Sequence, residues 1–97
     1  MISLADCVAL SGLTEEEVLA IAEHEHIPEI AAAALASYLL SQAHGPETIR
    51  RMIVDDIRSA LDRGDQKHAQ ELFMALRHFC DCYPQAGPAG TTIAEVT

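Results

Sequence analysis

Aromatic side chains are scarce in this chain, at 4% of its 97 residues. That speaks against a β-sandwich, whose strands draw on Val, Tyr and Thr. Cations are scarce too: six Lys and Arg stand against fifteen Asp and Glu, for a net charge of −9. A nucleic-acid surface needs basic side chains to displace phosphate counterions, so no nucleic acid is expected as a partner. Acidic membrane surfaces are disfavoured for the same reason. Three cysteines cannot complete a disulfide framework, and Cys7 lies far in sequence from Cys80 and Cys82. Reduced thiols in a cytoplasmic protein are the expected state. No basic segment followed by an apolar stretch opens the chain, so no signal peptide is expected. The apolar run over residues 30–40 is too short to cross a bilayer.

Enzyme signatures are missing as well. Ser11, Ser37, Ser41 and Thr48 have no Gly-x-Ser-x-Gly context, and no glycine-rich phosphate loop occurs. No stretch alternates apolar and polar residues long enough to make a strand.

What is present is helical. Hydrophobic residues make up 49% of the chain, and Ala and Leu supply most of them, which suits close helix–helix packing. A short helix is expected over residues 3–10, stopped by Gly12. Thr14 and Glu17 have capping-box spacing, and three acidic residues in the first turn complement the helix dipole, so a second helix should run over 14–26. Pro28 opens a third helix to about residue 43, with Gly45 as its C-terminal cap. Pro46 opens a fourth, whose stripe is Ile49, Met52, Ile53, Ile57, Ala60 and Leu61. Gly64 ends it and Asp65 caps a fifth, which Pro84 stops. The expectation is an all-α bundle of five helices, four substantial and one short, over residues 1–84. Residues 85–97, rich in Gly, Pro and Thr, are read as a flexible C-terminal tail in which Ile93 and Val96 are the only anchors.

The third helix is apolar nearly all round, and a chain this small has little left to cover it. Burial against a second copy is the expected solution, so a homodimer is predicted. The first two helices have helix-turn-helix lengths, but Glu15, Glu16 and Glu17 would face phosphates, which excludes a DNA-reading role.

The densest chemistry lies in residues 22–29, where two His and three Glu fall at the helix–Pro–helix junction. At about 100° per residue, Glu25 projects near Val18 and Ile21, and His26 near Leu19 and Ala22. Glu23, His24, Asp55 and His78 point away. Asp56 falls on the apolar face of the fourth helix, and His68 at the edge of the fifth. Glu25, His26, Asp56 and His68 are therefore the candidate ligands of a divalent metal, zinc or iron, in a helical metal-binding protein. Glu23 with His26, and Asp65 with His68, have the three-residue spacing of bundle metal sites. The competing reading leaves Glu25 and His26 exposed or capping at the helix end and pairs Asp56 with a His or Arg. Cys80 and Cys82 lie about 200° apart on a helix and cannot chelate one ion together with His78. The function expected from the residues is a non-catalytic interaction or regulatory module, acting through the third helix and the acidic surface of the second.

Overall fold

Side-chain oxygens start three of the helices. Ser3 Oγ accepts from the Asp6 amide at 3.1 Å while the Asp6 carboxylate accepts from the Ser3 amide at 3.2 Å. Thr14 and Glu17 repeat that reciprocal box at 3.3 and 2.8 Å, and Asp65 Oδ1 accepts from the His68 amide at 3.2 Å. Each such cap contributes about 1 kcal/mol. The computed structural model describes residues 3–87. Its helices are α1 (Leu4–Ser11), α2 (Glu15–Glu25), α3 (Glu29–Leu40), α4 (Gly45–Asp62) and α5 (Gln66–Cys82), followed by a 3-10 turn, Pro84–Ala86. The all-α bundle of four longer helices and one short one is the fold expected. No helix among the described residues is long and apolar enough to cross a membrane.

Two helix ends differ from expectation. α3 stops at Leu40, three residues early, because Ser41 Oγ donates to the Tyr38 carbonyl and the Gln42 amide returns to Leu39. Gly45 is then not a C-terminal cap. It is the buried first residue of α4, pressed so closely on α3 that a Cβ there would lie 1.4 Å from the Leu39 carbonyl oxygen. α2 ends one residue before His26, which adopts the left-handed conformation (φ 56°) that a side chain normally avoids. The His26 and Ile27 amides both return to the Ala22 carbonyl, and Pro28 starts the next helix.

α4 is the central element, packed on α5, α2 and α3, while α1 rests on α3. The core joins Val18 and Ile21 of α2, Ala32 and Ala36 of α3, Ile49, Ile53 and Ile57 of α4, and Leu72, Leu76 and Phe79 of α5. The molecule measures 43 × 27 × 17 Å. α3 is not enclosed on every side. Ala32, Ala33 and Ala36 are buried, while Ile30 and Tyr38 are 53% and 61% exposed.

The packed body extends past Pro84. Ala86 is buried against the core, and Gly87 lies beside the Arg50 side chain. The rest of the expected tail, residues 88–97 with Ile93 and Val96, lies outside the described residues. Ending the chain at Tyr83 should therefore cost about 1 kcal/mol more than ending it at Gly87, because the shorter chain loses the buried Ala86. Equal melting temperatures for the two truncations would show that Ala86 adds nothing.

Candidate functional site

The last turn of α2, the middle of α4 and the first turn of α5 meet in a patch of histidines and carboxylates. His24 of α2 sits between two acids, with Nδ1 2.7 Å from Glu25 and Nε2 3.3 Å from Asp55 of α4. His68 of α5 does the same across another seam, with Nε2 2.6 Å from Glu23 of α2 and Nδ1 3.4 Å from Glu71. Asp56 lies beneath them, 6% exposed, and its Oδ2 is buried without a hydrogen-bond partner. A third pair stands at the other end of α2. Glu17, 1% exposed, uses one oxygen for the helix cap and places the other 2.8 Å from His78 Nδ1.

These surroundings set the protonation of the patch. Burial, reinforced by the field of Glu23, pushes the Asp56 carboxyl up to about 7; His24 and His68 only partly offset this. Partial burial pulls His24 down, but its bonds to Glu25 and Asp55 outweigh it and leave the imidazole above its ordinary value. His68 shows the same balance, with Glu23 and Glu71 prevailing over burial. The bond to Glu17 raises His78. Asp56 and the three histidines therefore hold their protons to higher pH than ordinary Asp and His side chains do.

The four proposed metal ligands are only partly gathered. Asp56 lies within the electrostatic reach of His68, and His26 and Asp56 line one shallow hollow with His24 and Asp55. Glu25 is exposed and engaged with His24. His26 is exposed because it lies past the end of α2, where helical extrapolation no longer places a side chain. Among the described residues, no group of three or more His, Cys, Asp or Glu side chains is arranged to hold a metal ion. The competing reading has Glu25 and His26 exposed or capping at the helix end, which is where they lie, while the inner oxygen of Asp56 has no hydrogen-bond partner and Asp56 feels His24 and His68 only through space.

The orientations of Glu23, His24 and Asp55 are corrected. Helical periodicity points all three away from the core, yet Glu23 and His24 join α2 to α5 and α4. The difference starts at Leu19, which hydrophobicity alone would place in the core but which is 44% exposed. The buried face of α2 is Glu17, Val18, Ala20 and Ile21, and that line continues to His24. His78 is indeed on an exposed face, but it is tethered to Glu17. Cys80 is buried and Cys82 exposed, and both are free thiols.

The chain matches no family model, no curated protein and no solved structure.

Proposed function

We propose that this chain is a non-catalytic helical interaction module that pairs with a second copy of itself through the outer face of α3. The observation that carries the reading is an exposed apolar face without charge. Ile30 and Tyr38 stand out from α3 with Ala31 and Ala34 between them, and Leu10 on the adjoining α1 is 74% exposed. From Ile30 to Ala43 the sequence contains no Asp, Glu, Lys, Arg or His. Two copies that each carry −9 repel one another over most of their surfaces. An uncharged face is where they can approach at least cost, and apolar burial there favours contact. A metal-binding role through Glu25, His26, Asp56 and His68 draws no support from their placement, because Glu25 and His26 face outward.

Sedimentation equilibrium at low micromolar concentration tests the reading. The wild-type chain should sediment as a dimer of the 10.5 kDa protomer. Tyr38→Glu and Ile30→Glu should each give a folded monomer, because both side chains are exposed in the protomer and a charge there disturbs only the contact. A wild-type monomer at that concentration would end the proposal.

A further inference from the structure

α5 packs chiefly along α4 and meets α2 less extensively, and the seam between α2 and α5 is open. It forms a groove of about 200 Å³. Its floor is apolar: Leu19 and Ala20 from α2, Leu72 and Ala75 from α5. Leu19 is the uncovered part of that floor, 44% exposed where the other three are nearly buried. The rim is acidic. Glu16 and Glu23 are two turns apart on α2, and Glu71 faces them from α5. His68 closes one end, held by Glu23 at 2.6 Å and Glu71 at 3.4 Å, and the Glu17–His78 contact at 2.8 Å ties the same two helices at the other end, so the groove is open outward between these two ties.

The dimensions decide the class of occupant. Sites for small molecules and cofactors enclose roughly 300–1,000 Å³, so this groove suits an aliphatic side chain of a larger partner. The rim decides the charge. A neutral apolar segment would strip water from the glutamates without replacing it, which is costly. An anionic segment or surface would be repelled. A second copy of this chain does not fit, because its six basic residues lie on α4, on α5 or at the turn between them, and the apolar faces of both helices already form the core. We propose that the α2–α5 groove docks a basic amphipathic segment of a partner protein, with a Leu- or Met-sized side chain on Leu19 and flanking Lys or Arg at Glu16, Glu23 and Glu71. This surface is separate from the outer face of α3, and the proposal does not depend on dimerisation.

The probe is a leucine–lysine peptide of about 14 residues, near the shortest length at which an isolated helix holds, with a leucine–glutamate twin as control. Titrated into the isotope-labelled full chain, the lysine peptide should shift the amide signals of Glu16, Leu19, Glu23, Glu71, Leu72 and Ala75, and the glutamate twin should shift none. Leu19→Gln should weaken binding by about tenfold, the effect of losing one buried aliphatic contact. Leu19 is partly exposed, so an unchanged melting temperature will show that this variant is folded. Glu71→Gln should weaken binding and reduce its salt dependence. Absence of binding, equal binding of the glutamate twin, or shifts centred on α3 would overturn the proposal. So would full affinity in Leu19→Gln or displacement of the peptide by spermine at equal charge, since either would mean that charge alone holds it.

Discussion

Acidification from pH 8 to pH 5.5 should stabilise this protein, with a rise in melting temperature on the order of 10 °C. Asp56 supplies the largest share. Its carboxyl has an ordinary value of 3.8 and is raised to about 7 in the fold. A group raised on folding lends its full stability below the unfolded value and loses it as pH climbs through the folded one. Between those limits the folded protein binds one proton more than the unfolded chain, worth about 1.4 kcal/mol per pH unit. His24, His68 and His78 are also raised and act with the same sign just above their ordinary value of 6.5. Asp56→Asn removes the buried charge while keeping the shape. It should raise stability at pH 8 by about 2 kcal/mol and flatten the dependence between pH 5 and pH 7. Urea denaturation at a series of pH values reads both effects. A wild-type protein that loses stability on acidification over this range, or an Asp56→Asn variant weaker at pH 8, would contradict the placement of Asp56.

Gly45→Ala should be the most damaging methyl addition among the described glycines. The new carbon would stand 1.4 Å from the Leu39 carbonyl oxygen, which is backbone and cannot rotate away. Pro46 follows directly and narrows the conformations Gly45 can take. Relief requires the start of α4 to lift off α3, at about 3 kcal/mol or more, a large part of the 5–15 kcal/mol that holds a typical domain together. Gly64→Ala is the matched control. Gly64 has φ +73° with nothing within 4 Å, so only left-handed strain of about 1 kcal/mol opposes a side chain there. If the two variants melt together, the close approach of α4 to α3 is not as described.

The helices were legible because their signals are local. Thr14 with Glu17, Gly64 with Asp65, and the stripes from Ile49 and Leu72 announce starts, stops and buried faces within a few residues. The end of α3 was not legible, because Ala43 is as good a helix former as the residues before it, and the Ser41 and Gln42 bonds that turn the chain out of the helix leave no periodic signal. The candidate site was half legible. Asp56 and His68 were found from their positions on their own helices. Glu23, His24 and Asp55 were missed because their partners lie 31 and 45 residues away, and helical periodicity carries no record of which helix lies opposite. Leu19 compounded this, since hydrophobicity places a leucine inward and says nothing about a seam left open. The buried state of Glu17 was hidden for a like reason: its cap is local, but His78 lies 61 residues on.

The hydroxyl of Tyr83 donates to the Gly12 carbonyl at 2.7 Å, and its ring stacks on Phe79 with centroids 5.0 Å apart. This bond joins the first turn of the protein to the residue that ends its last helix. On a ribosome, α1 emerges early and finds α3 soon after, yet the clasp over its C-terminal turn waits until nearly the whole described chain has been made. Of the described helices, α1 is thus synthesised before the others and secured last. Its amide protons should exchange with solvent sooner than those of α4, and Tyr83→Phe should hasten exchange in α1 while leaving the middle of α4 as slow as before.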